Sequence, residues 1–252
     1  MIAFLREVSP SLAACELSFL ARLPIDVERA REQHVHYAAE LSALGCGIEW
    51  LAPLAANADA VFVEDTAVVL PEVAVITRPG VASRRGEVES VATSLALHRP
   101  LRRIVAPGTL EGGDVVRIGR KLYVGVSGRS NAAGVEQLRH ALAPFGYRVA
   151  GVAMRDCLHL KSACTFIPPE ILLVNPAWVD PMPFDARTVI EVDAGEPFAA
   201  NTLTVQGVTL LSAAFPLTGQ RLQEAGVTTR ALDVSELQKA EAALTCMSLM
   251  VE

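Results

Sequence analysis

DVVRIGRKLYVGVSGRSNAAGVEQLRHALAPFGYRVAGVA, residues 114 to 153, holds the pattern that decides the fold. Two short apolar strands, DVVRI and KLYVGV, meet at a Gly119-Arg120 turn. A helix from Ser130 to about Ala143 follows and stops at Gly146, and the strand YRVAGVA closes the unit. The same hairpin, helix, strand order lies upstream. AVVL (67 to 70), a turn at Pro71 and Glu72, and VAVIT (73 to 77) lead into a helix over 84 to 98. That helix has Val88, Val91, Ala92 and Leu95 on one face, and RRIV follows it. Downstream, NTLTV, a Gln206-Gly207 turn and VTLLS precede a helix near 218 to 225 and the strand VTTRAL. A copy around ILLVN and TVIEV is less regular. The strand IAFLREV, a helix over 27 to 44 and the strand TCMSLMV complete a fifth from the two chain ends. Repeats that begin mid-chain and are completed by both ends imply a closed ring.

Composition narrows the class. Of 252 residues, 51% are hydrophobic and 20% charged, enough for a large core and against extensive disorder. No Pro/Gly/Ser-rich stretch or charge run marks a linker, so residues 1–252 read as a single catalytic domain. A formal charge of −6 gives no reason to bind nucleic acid or an anionic membrane and favours a cationic small molecule. No apolar run approaches the ~18 residues of a membrane span, and MIAFLREVSP lacks a secretory apolar segment. Five cysteines without a CxxC pair fit a reducing compartment, hence a cytoplasmic protein. The exposed edges of the outer strands would suit a homodimer.

Motif searches remove several chemistries. Gly45-Cys46-Gly47 lacks the third glycine of a dinucleotide fingerprint and follows a helix, so it reads as a helix stop. There is no GxxxxGK[ST] and no HExxH, and Ser127 lacks the spacing of a nucleophile elbow. Cys157, His159 and Cys164 match no common zinc spacing, and neither metal nor cofactor is expected. His34 and His36 read as solvated helix residues, and His98 and His140 as residues near helix ends.

Four features look less like core: VFVED with Asp59 before it, EGGD at 111 to 114, His159 in LHLKS, and Cys246. Three carboxylates in so apolar a segment as 59 to 70 need cations or donors, which a cationic ligand would supply. Each residue also has a plainer reading. Glu64 and Asp65 could cap or bridge to Arg78, Arg84 or Arg85, and Asp114 could close an Asx turn. His159 between two leucines could be a hydrogen-bonded core residue, and Cys246 inert strand packing.

Together the segments say more. VFVEDTAVV, ITRPG with SRRGEVE, EGGDV, YVGVSGRSN, LHLKSACT, AANTL and LTCMS follow one another as in dimethylarginine dimethylaminohydrolases, and the chain resembles that family over residues 59 to 252. The family belongs to a guanidine-modifying superfamily with arginine deiminases and amidinotransferases. The resemblance implies a five-bladed α/β propeller with pseudo-fivefold symmetry and hydrolysis of N-ω-methylated arginine to citrulline and a methylamine. It implies Cys246 as nucleophile, His159 as general acid and base, and Glu111 as the carboxylate that orients the histidine. Glu64 and Asp65 would hold the guanidinium, while Asp59, Arg84 and Arg129 would meet the amino-acid end. Residues 9 to 26 would form a lid, with Leu17 as a backbone contact. Two departures bear on specificity and on the base. Relatives acting on free arginine read HLD where this chain has His159-Leu160-Lys161, which favours a methylated substrate. Glu111 is aspartate in some members.

Overall fold

The computed structural model describes all 252 residues. The elements run β1 (Ile2–Leu5), α1 (Val27–Ala43) and β2 (Gly47–Trp50), then β3 (Ala67–Val69), β4 (Ala74–Ile76), α2 (Val88–Leu95) and β5 (Leu101–Arg103). Next come β6 (Val115–Ile118), β7 (Lys121–Val126), α3 (Ala132–Leu142) and β8 (Arg148–Ala153), followed by α4 (Leu160–Ala163), β9 (Cys164–Ile167), β10 (Ile171–Val174) and β11 (Thr188–Glu191). The chain finishes with β12 (Leu203–Val205), β13 (Val208–Ser212), α5 (Pro216–Glu224), β14 (Thr229–Leu232), α6 (Ser235–Gln238) and β15 (Leu249–Val251).

The strands form five three-stranded sheets, ordered β3-β4-β5, β6-β7-β8, β9-β10-β11, β12-β13-β14 and β15-β1-β2. In each sheet the first pair is antiparallel and the second parallel. A tight turn can join only the antiparallel pair, so the parallel strand must arrive by a crossover, which a helix supplies in four units. The turn at Gln206 and Gly207 has positive φ at both residues (49° and 79°), the twist that suits a two-residue hairpin. The irregular unit, β9-β10-β11, crosses over through turns between Val174 and Thr188 in place of a helix.

The apolar core is divided among the seams between neighbouring sheets. Val68, Val73 and Val75 pack with Leu122, Val124 and Leu138; Val116 and Tyr123 pack with Cys164 and Leu172; Ile167 and Leu173 pack with Ala199 and Leu222. Val205 and Leu210 join Ala3, Leu5 and Tyr37, while Phe4 and Leu249 join Val63, Ile76 and Leu95. The last seam closes the circle, giving a five-bladed α/β propeller. No helix is long and apolar enough to cross a membrane.

Several boundaries depart from the sequence reading. The helix over 84 to 98 begins as a 3-10 stretch, Ala82–Glu87, and the strand at TCMSLMV shrinks to Leu249–Val251 because Thr245–Met247 turns as a 3-10 helix. His34 is buried, not solvated: it shares a face of α1 with Ala30, Tyr37, Ala38 and Leu41, and its Nε2 has no hydrogen-bond partner. Burial lowers its pKa to about 4, although the main chain of Met247 favours the charged ring.

A common position recurs in the five units. Immediately before the first strand of each sheet lies a short polar segment: Val63–Thr66, Glu111–Asp114, His159–Ala163, Asn201-Thr202 and Thr245–Met247. These five segments meet about the centre of the ring.

Candidate active site

Asp65 and Glu111 reach the centre from the turns before β3 and β6. The two glycines of EGGD are required by close packing: a Cβ on Gly112 would strike the Glu64 carbonyl, and one on Gly113 would lie 2.7 Å from the His159 ring at Nδ1. Gly113 instead offers its N–H to Asp65 Oδ1 at 3.0 Å. His159, at the N-terminal end of α4, places Nε2 2.7 Å from Glu111 Oε2 and 3.8 Å from Asp65 Oδ1. Glu111 is fixed on its other oxygen by the Gly80 N–H at 3.0 Å. Asp114 does not close a local Asx turn. It accepts from the Leu160 N–H at 3.0 Å and from Ser127 Oγ at 2.7 Å, bracing the backbone that carries His159.

Cys246 sits in the turn before β15, partly buried, with the Ala243 N–H donating to its Sγ at 3.4 Å. Cys246, His159, Asp65, Asp59, Arg84 and Arg129 all border one small cavity of about 20 Å³. Cys246 also borders a second, more apolar chamber of about 330 Å³ lined by Phe19, Leu20, Leu158 and Phe215.

The remaining expected residues fall elsewhere or are already engaged. Glu64 does not line the small cavity. Lys161 Nζ, 97 positions along the chain, lies 2.5 Å from its Oε1, and Thr245 Oγ1 donates to its Oε2 at 2.7 Å. The local bridge to Arg78 or Arg85 is absent, since those guanidiniums bond to main-chain carbonyls. Arg84 is buried and its fork is largely consumed by Asp65 (2.6 Å), Glu87 (2.9 Å) and the Phe62 carbonyl (2.9 Å). One N–H of its Nη1 has no partner within the protein, so Arg84 by itself has no free fork. Arg129 is less committed, with Nη2 donating to Ser18 Oγ at 3.2 Å and Nη1 3.5 Å from Glu111. Asp59 accepts the Glu16 N–H, and no protein donor reaches the Leu17 carbonyl.

Two contributors escaped the sequence reading. Asn201 accepts from the Thr245 N–H at 3.0 Å and donates to Thr245 Oγ1 at 2.9 Å and the Lys161 carbonyl at 3.2 Å, so it ties the cysteine turn to α4. Glu87 locks Arg84. A buried asparagine in AANTL was the available signal for the first, because a buried amide must find partners.

Electrostatics follow from this crowding. Burial alone would lower the His159 pKa, but the Asp65 carboxylate, with Glu111 and Asp114, raises it to about 9. Asp65 is held down to about 2: burial opposes its ionisation, and the charges of His159 and Arg84 overcome that. Burial pushes the Cys246 thiol up, and Glu64 and Asp65 push it further. At neutral pH the resting site therefore pairs an imidazolium with a protonated thiol. Asp65, Glu111 and His159 bring donor atoms within 4.8 Å of one another and are the residues that could share a metal ion.

Comparison with known proteins gives this geometry a lineage. The chain is 38% identical to the N(G),N(G)-dimethylarginine dimethylaminohydrolase of Streptomyces coelicolor, over 98% of this chain and 95% of that one. It is 34% identical to the protein of the same name from Pseudomonas aeruginosa, over 89% of each.

The chain belongs to the dimethylarginine dimethylaminohydrolase family.

A family model described as arginine deiminase matches residues 90–204, from within α2 into β12, and so includes Glu111 and His159. Among solved structures, the dimethylarginine dimethylaminohydrolase of Pseudomonas aeruginosa, as a cysteine-to-serine variant complexed with citrulline, superposes with a TM-score of 0.92. It is 31% identical and covers 98% of this chain and 97% of that one.

Proposed function

We propose that this protein hydrolyses N-ω-methylated arginine to citrulline and a methylamine, as a single catalytic domain and through a covalent bond to Cys246. The observation that carries this reading is the convergence of Cys246, Asp65 and His159, with Glu111 hydrogen-bonded behind it, on one small cavity. A guanidinium suits this site on charge, and the cavity, at about 20 Å³, must widen to admit it. Asp65 faces its N–H groups, and Arg129 with the remaining Arg84 N–H takes the carboxylate end. Asp59 and the Leu17 carbonyl face the ammonium group. Glu64, behind Lys161, adds negative potential without contact.

The chemistry begins with a thiol that must ionise. A thiol of pKa ~8.5 carries a deficit of about 2 kcal/mol at neutral pH, and the surrounding carboxylates deepen it. A cation ~4 Å away at an effective dielectric of ~20 contributes about 4 kcal/mol toward the thiolate, so ionisation of Cys246 is tied to substrate binding. The thiolate attacks the guanidinium carbon. His159, already protonated, gives its proton to the departing amine, leaving a thiouronium on Cys246. Neutral His159 then takes a proton from water, which attacks the same carbon and releases citrulline and the cysteine. Glu111 stabilises the charged ring and fixes its orientation in both halves.

The test incubates the purified protein with chelator and either asymmetric dimethylarginine or arginine, and assays citrulline and the released amine. Citrulline with dimethylamine from the methylated substrate supports the reading, and a Cys246→Ser variant should yield neither product. Citrulline mainly from arginine would overturn the specificity drawn from Lys161. No product from either would refute the assignment.

A further inference from the structure

The segment from Glu16 to Ile25 contains neither helix nor strand, and none of its main-chain groups bonds to main chain elsewhere. It nevertheless covers the cysteine: Phe19, Leu20 and Leu23 wall the chamber beside Cys246, and Glu16 borders the small cavity. Only side chains hold it there. Lys239 Nζ donates to the Pro24 carbonyl at 3.0 Å, Ser83 Oγ to Glu16 Oε1 at 2.7 Å, and Arg129 to Ser18 Oγ. Of four main-chain N–H groups in the segment that find an acceptor, one goes to Asp59 and three go to a single carboxylate. Glu241 accepts from Ser18 (2.9 Å), Phe19 (2.5 Å) and Leu20 (2.5 Å).

We infer that Glu241 is the positioning residue that holds this segment over Cys246 and so fixes the Leu17 carbonyl against the substrate. The inference rests on the proposed reaction for its kinetic consequence but not for its structural one. Three successive N–H groups facing one acceptor demand an anion: a glutamine would turn its own N–H₂ toward at least one of them. The backbone adds a second argument. Glu241 has φ of 57°, a left-handed conformation that costs a side-chain-bearing residue and that glycine adopts freely. A glutamate stands where glycine would be relaxed, and its carboxylate is what glycine lacks. Because Glu241 lies five positions before Cys246, the same contact couples the segment to the loop that presents the nucleophile.

The segment carries its own reporter, since the exposed Arg22 offers trypsin the Arg22–Leu23 bond. Limited trypsin digestion, read by mass spectrometry at that bond, is compared among the wild-type protein, Glu241→Gln and Glu241→Gly. Both variants should be cut about tenfold faster or more, the factor that corresponds to losing one charge-assisted hydrogen bond. Glu241→Gly relieves the left-handed backbone, so its faster cleavage cannot be assigned to strain at position 241. With dimethylarginine, KM should rise several-fold more than kcat falls, and Glu241→Asp should recover part of the loss. Unchanged cleavage at Arg22–Leu23 in both variants would overturn the inference. If the wild-type protein turns over no methylarginine, the proposed function fails, while the digestion still decides whether Glu241 holds the segment.

Discussion

Replacing Glu111 with glutamine should lower the pKa of His159 by about one to two units while leaving the fold intact. The imidazolium of His159 donates to Glu111 Oε2 at 2.7 Å, and both groups are buried. A hydrogen bond to a charged group contributes about 1.5 to 3 kcal/mol, and one pKa unit is 1.36 kcal/mol, which sets the range. Asp65 and Asp114 remain, so His159 should move from about 9 to about 7 or 8 and not to its unperturbed value. The substituted amide still presents an oxygen to the Gly80 N–H, so the loop has no reason to shift. The assay is a histidine-selective NMR titration, with the His159 resonance assigned by its absence in His159→Phe. Turnover should follow: the alkaline limb of the kcat profile moves to lower pH by a similar amount, because the first step needs the imidazolium. An unchanged His159 titration in Glu111→Gln would refute the claim that this carboxylate sets the charge state of the acid.

Lys161→Met removes the cation that faces Glu64 and depresses the Cys246 thiol pKa. Alkylation of Cys246 by iodoacetamide should then shift to higher pH, and urea denaturation should show a loss of about 1 to 3 kcal/mol from the buried carboxylate left with Thr245 alone. Two buried histidines should shape the pH dependence of stability on either side of about pH 6.5, with Asp114, raised by burial to about 6, opposing His34 on the acid side. On the alkaline side, the raised pKa of His159 contributes stability that is present below about 6.5 and lost as pH rises through about 9. On the acid side, the depressed pKa of His34 contributes stability that is present above about 6.5 and lost as pH falls through about 4. Each loss is on the order of 3 kcal/mol. In His34→Phe the acid limb should flatten while the alkaline limb stays, as followed by circular dichroism in urea at each pH; an unaltered acid limb would count against a neutral buried His34.

Much of the ring was readable because hairpins and helices write their periods locally. β6, β7 and α3 follow from alternation, a glycine turn and an apolar face within forty positions. What was hidden depends on contacts between distant segments. Nothing near Glu64 announces Lys161, and nothing near Arg84 announces that Asp65 and Glu87 would consume its fork. Cys246 reads as part of a strand because TCMSLMV is mostly apolar. Thr245 instead turns to meet Asn201 and Glu64, polar partners from other sheets that outweigh strand propensity. For His34 the signal was present and misjudged: the spacing Ala30, His34, Tyr37, Leu41 is an inward-facing stripe, and the histidine's polarity concealed it.

The five polar segments at the head of the five sheets give the protein an unusual dependence of activity on folding. Asp65, Glu111, His159, Asn201 and Cys246 arrive from five different sheets, each docked only to its two neighbours. Opening any one seam displaces a member of the constellation. Turnover is therefore an all-or-none gauge of ring closure, more demanding than any spectroscopic measure of helix or sheet. For the same reason each sheet offers one substitutable place at the axis, whose chemistry can change while the other four segments keep their backbone positions.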